Sequence, residues 1–510
     1  MLRRYPVSSW GGHARRHRVF LCVVLAGAGL RGLVMLGYRP ALWFPDSYTY
    51  VVTALRPRPD LVRPAGYSVF LRLLEPFHDF AAVALVQHLL GLATGVLVYA
   101  GVRRWGGPAW AGVAASAPVL LDAYQVQLEH LLVSDTLFMF LVVAGVYAAA
   151  RTRTWRGAAA AGLLLAAATL TRTVGLPLIV LVTLWLAFRR PDPALGVRRT
   201  DPAEMPRGVR RAWQALRRSG SRLRPRGVQA AAVCLVAALV PVGAYAAWFS
   251  ATHHRFGIVG ANGVFLYGRT MSFADCAVMR PPPDLAVLCD DTPPDARPPS
   301  QAYVWDPGAP LPALPGITFS ASSDRLAGRF AMLALRSQPL DYAASVLGEL
   351  ARGFTWGRPV YPDRETYDHY EFPARTPAPP SREPALLGVT LATQEYQRGP
   401  IGTRVEEPFA GWVRAYQDVA RLPGTLLLLV LLAAPVAAAV RRRRGGPWVL
   451  PWATAAALLV IPAATAEFDY RYVLPAVPLA FLAAALAVTG LSTSPSTQKP
   501  HLPADSMHNG

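Results

Sequence analysis

Apolar residues along this chain fall into ten runs, each long enough to be a helix and bounded by short polar or basic stretches. They lie at about 19–37, 81–102, 108–121, 133–150, 157–170, 174–188, 228–250, 424–440, 447–465 and 473–490. A lipid bilayer demands about 20 apolar residues per crossing helix. The pattern therefore predicts an all-α polytopic membrane protein with about ten transmembrane helices. The shorter runs, at 108–121, 157–170 and 174–188, are the least secure as crossings. Between the seventh and eighth runs lies a long segment, 251–423, of a different texture. From 281 to 315 it is dense in proline and reads as irregular structure. From 323 to 354 apolar residues recur at helical spacing, with Leu326, Phe330 and Leu333 before Pro339 and Val346, Leu347 and Leu350 after it. That spacing predicts two short helices, lying on the membrane surface or packed on each other. Residues 358–405 read as loop, and a third helix is expected at about 407–420.

Charge orients this pattern. If the first run leads outward, the loops assigned to the cytoplasm are rich in arginine, as the positive-inside rule requires. The stretch from 189 to 226 alone carries twelve arginines against three acids. The expected organisation is an N-terminal membrane module, 1–250, of about seven spans with a functional first outer loop at 38–80. An extracytoplasmic segment of short helices and irregular structure follows at 251–423. The C-terminal spans occupy 424–490, and a disordered cytoplasmic tail 491–510. Both termini are expected in the cytoplasm, with the polar chemistry outside. Arg15, Arg16 and Arg18 before an apolar run look like a signal peptide, but no clear small-residue cleavage site follows. The run reads as a retained first span.

Composition changes this picture little. The chain has 510 residues, 53% hydrophobic and 16% charged, with a formal charge of +20. So basic a chain invites a nucleic-acid reading. The placement of the arginines in short loops beside apolar runs argues against it. Lys499 is the only lysine, so part of the arginine excess is compositional. Cys22 and Cys234 fall within apolar runs. Cys276 and Cys289 share the outer segment, where an even pair suggests a disulfide, the alternative being two free thiols.

The candidate chemistry lies on the outer side. Trp43-Phe44-Pro45-Asp46-Ser47-Tyr48 follows the first run. Burial among aromatics would raise the Asp46 carboxyl toward the range of a base. Arg63-Pro64-Ala65-Gly66-Tyr67 comes later in the same loop. Glu129-His130 and Ser134-Asp135 flank the start of the fourth run, where acids are costly and seldom idle. Arg172 sits at an outer helix end against the charge rule, a place suited to gripping an anion. Glu467-Phe468-Asp469-Tyr470-Arg471-Tyr472 forms the last outer turn. His253-His254-Arg255 follows the seventh run, but adjacent histidines do not share a helix face for a metal. No P-loop, dinucleotide fingerprint, zinc motif or nucleophile elbow occurs. Interfacial anchoring, helix capping and self-satisfied salt bridges are the structural alternatives for these residues.

In this order the motifs resemble the GT-C superfamily of polytopic glycosyltransferases, which use polyprenyl-phosphate-linked sugars and include protein O-mannosyltransferases and the aminoarabinose transferases of lipid A. Pro45-Asp46-Ser47 with Tyr50 is similar to the acidic first-loop motif, and Arg63 to Tyr67 to the Pro-Gly-Tyr turn. Ser134-Asp135 is similar to the small-residue and acid pair. Leu170-Thr171-Arg172 before Gly175-Leu176-Pro177 resembles the arginine turn, and Arg471-Tyr472-Val473-Leu474-Pro475 the closing element. The resemblance implies a transferase acting on the outer face, with Asp46 catalytic. Arg172, Arg471 and Tyr472 would bind the donor phosphate. Glu129, Asp135, Tyr67 and His254 would contact sugar or acceptor. A polyprenyl-phosphate-linked sugar, membrane lipids and a cell-envelope acceptor would be the partners, and inversion at the anomeric carbon the outcome. A divalent cation is a candidate cofactor. Asp46-Ser47 stands where the family has two acids, which leaves the metal open. A transporter of lipid-linked intermediates and a non-catalytic assembly subunit are the competing readings.

Overall fold

All ten apolar runs are helical in the computed structural model, which describes residues 8–152, 154–189, 225–380, 383–442 and 445–489. The helices are Ser8–Gly37, Phe80–Arg104, Ala109–Leu121, Asp135–Arg151, Trp155–Thr171, Gly175–Phe188, Pro225–His253, Gly424–Val440, Val449–Thr465 and Tyr470–Val488. Four helices are long and apolar enough to cross a membrane. They are His17–Gly37, Phe80–Arg104, Gly227–His253 and Tyr470–Val488. A fifth is added if Phe409–Val419 and Gly424–Val440, bent by 53° at their junction, make one span. The remainder are shorter. At 1.5 Å per residue a 17-residue helix such as Asp135–Arg151 reaches about 25 Å, less than the roughly 30 Å hydrocarbon core. The basic stretch 190–224, the pair 443–444 and the tail 491–510, all expected in the cytoplasm, lie outside the described residues.

The bundle buries one continuous apolar core. Val98, Val142, Leu165, Val182, Leu458 and Leu482 meet there from six helices. Residues 251–335 build a second core around Val264, Tyr267, Leu288, Tyr303 and Phe330, and the Cys276–Cys289 disulfide lies at its edge. The two helices expected around Pro339 form as Ala321–Ser337 and Pro339–Arg352. The first packs Ala327, Phe330 and Ala334 into the second core. The second leans on the bundle, where the Tyr342 hydroxyl donates to the Ala464 carbonyl at 3.0 Å, and leaves Leu340 and Leu347 exposed. The third appears as Phe409–Val419. The 358–405 stretch is less irregular than its composition suggests. It contains the helix Glu383–Leu391, which runs on into a π-helical turn at Ala392–Tyr396. Proline and charge on either side hide this helix, whose partner is Pro45–Leu55 of the first loop.

The connections between helices gather at one end of the bundle and are stitched to each other. Tyr38–Arg39 pairs antiparallel with Arg404–Val405. The Leu42 N–H donates to the His130 carbonyl, and the Leu132 N–H returns to Leu42 at 3.0 Å. Trp43 Nε1 donates to the Ile401 carbonyl at 2.9 Å, and the Thr403 hydroxyl to that of Ala41. The segments carrying Asp46 and Asp135 are thereby held side by side. At Gly66, a Cβ would collide with the Leu170 carbonyl. Only glycine lets the first loop approach so near the turn that bears Arg172.

Candidate active site

Asp46 lies in the first turn of Pro45–Leu55. Pro45 opens that helix at a position where its missing N–H costs nothing. Ser47 fixes the helix start, accepting from the Phe44 N–H at 2.9 Å and donating to the Leu132 carbonyl at 2.8 Å. The Asp46 carboxylate then meets two arginines from distant segments. Arg63 pairs with Oδ1, and Arg471 Nη1 lies 3.3 Å from Oδ2. Burial pushes this carboxyl up, as the sequence suggests, but the Arg63 and Arg471 guanidiniums outweigh it and hold the group well below the usual carboxylate range. The expectation of a raised, base-like Asp46 is thus corrected: in the resting arrangement it is a charged acceptor.

Asp135 opens its helix fully buried. Its Oδ1 pairs with Arg172, while Oδ2 has no hydrogen-bond partner and lies 3.9 Å from Arg471 Nη1. Arg471 is also held by Asp469, whose Oδ2 accepts from Nε at 2.8 Å and from the Tyr370 hydroxyl at 2.7 Å. The Tyr472 ring sits beneath both cations, 4.9 Å from Arg172 and 5.4 Å from Arg471. Three carboxylates, Asp46, Asp135 and Asp469, therefore face three guanidiniums, Arg63, Arg172 and Arg471. The charges of this cluster balance.

Of the sequence candidates, the structure brings together Asp46, Asp135, Arg172, Arg471 and Tyr472. It does not bring the others to them. Glu129 is fully buried and holds Arg31 through two bonds of 2.7 Å. Its Oε2 also lies 3.0 Å from His88 Nδ1, and His88 Nε2 is 3.1 Å from His130 Nδ1. His130 Nε2 ends this chain of bonds by donating to the Tyr38 carbonyl at 2.7 Å. Tyr67 is likewise buried, its hydroxyl donating to Gln87 at 2.7 Å. Glu129 and Tyr67 thus present no group to a ligand. His254 closes Pro225–His253 with φ 55°, and no hydrogen bond or ion pair joins it to the cluster. Its neighbour His253 is the one tied to the first loop, through the Pro59 carbonyl at 2.7 Å.

The residues present do not suit a divalent cation. Among the described residues no three His, Cys, Asp or Glu side chains gather as a metal site. Asp46 and Asp135 each point at arginine, and a guanidinium repels the ion that a carboxylate would attract.

Beside the cluster opens a small cavity that is partly open to the outside. Arg358, Arg352, Arg471, Tyr124, Gln127 and Tyr470 line it, together with Leu427, Leu474 and Val477 from the bundle helices. Sequence reasoning missed Arg358, which sits in a proline-rich stretch without periodicity, and assigned no role to Arg63 although it stands in a quoted motif.

The last turn carries one further acid. Glu467 accepts from the Ser300 and Gln301 N–H groups at 3.0 Å each and lies 3.2 Å from the Tyr361 hydroxyl. Burial raises this carboxyl against the pull of the two N–H groups, and Glu349 adds to the rise, bringing it to about 7. A folded value above the unfolded one means the native state binds this proton more tightly. The contribution to stability is full below about pH 4.5 and is lost as pH rises through about 7. Glu467→Gln should remove a dependence of up to about 3 kcal/mol. Thermal unfolding of both proteins from pH 5 to 8.5 checks this, and a gap that does not change with pH would refute it.

No family model and no curated protein matches the chain. Solved structures do. A protein O-mannosyltransferase complex of S. cerevisiae bound to the sugar donor is 16% identical, with TM-score 0.32, over 51% of this chain and 36% of that one. The oligosaccharyltransferase AglB from Archaeoglobus fulgidus, in complex with an inhibitory peptide and a dolichol-phosphate, is 13% identical, with TM-score 0.36, over 92% and 50%. ArnT from Cupriavidus metallidurans bound to undecaprenyl phosphate is 15% identical, with TM-score 0.31, over 95% and 78%. The chain thus spans about a third of the first of these chains and half of the second.

Proposed function

We propose that the chain is a membrane glycosyltransferase that moves a sugar from a polyprenyl-phosphate donor to an acceptor at the extracytoplasmic face, in a bacterial plasma membrane with both termini inside. The observation that carries this reading is the meeting of Asp46, Asp135, Arg172 and Arg471. These residues come from four distant segments and share one cluster beside a cavity lined by both arginines and apolar side chains. Such a cavity suits a phosphate carried on a hydrocarbon chain.

The chemistry follows from the sharing of Arg471. An acceptor hydroxyl hydrogen-bonded to Asp46 attacks the anomeric carbon opposite the phosphate, which inverts that centre. The carbon–oxygen bond to phosphate breaks, and its electron pair leaves with the phosphate. As negative charge grows there, Arg471 turns its attraction from Asp46 to the leaving group. Arg63 alone then opposes burial at the Asp46 carboxyl, which takes the hydroxyl proton. The arginine that stabilises departure thus also eases proton uptake by the base. Asp135 orients Arg172 and Arg471 through this change. Removing one such charge donor costs about 10²–10³ in rate.

The test uses purified full-length chain in lipid nanodiscs, supplied with polyprenyl-phosphate-linked sugars and envelope extracts. Free polyprenyl phosphate and a sugar-bearing acceptor should appear together, and Arg471→Gln should reduce both at least about a hundredfold. Movement of labelled lipid across the membrane with no sugar transferred would favour a transporter. The geometry gives that alternative little support. Arg31, the ionisable residue within the first apolar run, is fully answered by Glu129 and by the Gly27, Val119 and Leu120 carbonyls.

A further inference from the structure

We infer that Glu349 and Glu467 are positioning residues for Arg471: they share one proton across the Tyr361 hydroxyl and hold the last outer turn in place while they keep it. The effect on transfer rests on the glycosyltransferase reading; the shared proton does not.

A count of hydrogens comes first. Two carboxyl groups point at one phenol. The Tyr361 oxygen lies 3.1 Å from Glu349 Oε1 and 3.2 Å from Glu467 Oε1. A tyrosine hydroxyl has one hydrogen to give, and an ionised carboxylate has none. With both acids charged, one of the two contacts sets oxygen lone pairs against each other. A proton on one acid removes the conflict, because that acid donates to Tyr361 and Tyr361 donates to the other.

The surroundings assign the proton to Glu467. Glu349 Oε2 accepts from the Phe468 N–H at 2.7 Å, and Arg352 Nε lies 3.9 Å from Oε1. Glu467 has the Ser300 and Gln301 N–H groups and, among the described residues, no cation paired with it. Burial raises its carboxyl to about 7 against those two bonds, and Glu349 adds to the rise. The other charged groups nearby are engaged elsewhere. Arg269 donates to the Ala463 carbonyl, Ser272 and Ser345. Asp363 accepts from Gln301 and from the Thr366 N–H. Tyr342 donates to the Ala464 carbonyl, and Asp469 faces Arg471 and Tyr370.

The contact reaches Arg471 along the chain. Glu349 holds the Phe468 N–H, and the next residue, Asp469, fixes Arg471 Nε at 2.8 Å. The stretch bearing Tyr361 grips the turn again, where the Pro359 carbonyl accepts from the Tyr470 hydroxyl at 2.6 Å. Loss of the proton leaves two like charges on one phenol, and their repulsion separates Glu349 from Glu467. Whichever acid gives way, the turn loses an anchor, either at Phe468 or at Ser300 and Gln301. Arg471 then moves off Asp46.

The test uses full-length chain in zwitterionic nanodiscs. Infrared difference spectra between pH 5.5 and 8.5 should show a protonated carboxyl being lost, absent from Glu467→Gln and moved to lower pH in Glu349→Gln. Over the same interval kcat/KM for transfer should fall at least about fivefold in wild type. Glu467→Gln should show no such fall, since its amide donates to Tyr361 as the protonated acid does. Glu349→Gln should also lose the fall, because Tyr361 can then donate to an ionised Glu467. A purely structural role would lower the rate equally at every pH. The same carboxyl signal in wild type and folded Glu467→Gln would overturn the shared proton. An alkaline fall that persists in both variants would overturn the positioning role. If the chain transfers no sugar and the signal still behaves as stated, the function and the positioning role fall together and the shared proton stands.

Discussion

Replacing Asp46 with Asn should lower sugar transfer by about 10²–10⁴-fold, the range lost with a general base, while the protein still inserts and folds. Asn keeps an acceptor for Arg63 and Arg471 but cannot take a proton. The pH dependence makes the test specific. With both arginines present, the carboxylate is held well below its usual range, so Asp46 should produce no acid limb in kcat/KM above about pH 5. Arg63→Gln removes one of the two opposing charges while burial still favours the neutral form. The carboxyl should then climb, and activity should begin to fall on the acid side at a higher pH than in wild type. A wild-type rate for Asp46→Asn would remove Asp46 from the mechanism. An unmoved acid limb in Arg63→Gln would show that Arg63 does not set its charge.

The second large effect is on stability. Glu129→Leu should destabilise the protein by about 3–5 kcal/mol, because it leaves the Arg31 charge buried without its partner. Arg31 is 3% exposed and Glu129 not at all. Replacing both, Arg31→Met with Glu129→Leu, should recover most of that loss, since a buried pair exchanged for apolar side chains of similar volume is often neutral. Gly91→Ala should resemble the single mutant, as its Cβ would collide with the Glu129 carboxylate. Thermal unfolding in detergent compares all of these. If Glu129→Leu proves as stable as wild type, the network is not what holds Ala123–His130 against Phe80–Arg104.

Much of this was legible in the chain because helical spans announce themselves locally. Each apolar run became a helix, and Pro339 separated two helices where spacing put it. The meeting of Asp46, Asp135, Arg172 and Arg471 was legible only through the order of short motifs. The rest was hidden in pairings across long separations. Burial alone argues for a raised Asp46; Arg471, 425 positions away, helps reverse it. Glu129 looks like a ligand-binding acid until Arg31, 98 positions earlier, is seen to claim it. Arg358 carries no periodic signal at all. Its guanidinium rests against Tyr124 and Tyr470, which stand far from it on either side in the chain.

The two-residue ladder between Tyr38–Arg39 and Arg404–Val405 bears on how such a protein could be re-engineered. With the Trp43 and Thr403 bonds and the packing of Gly388 on Tyr48, it makes residues 38–48 and 388–405 one mechanical unit. A chimera that swaps the large segment alone, in search of a new acceptor preference, would tear the acid-bearing turn from its support. Both pieces must travel as a matched pair, and any drift in one during evolution must be answered in the other.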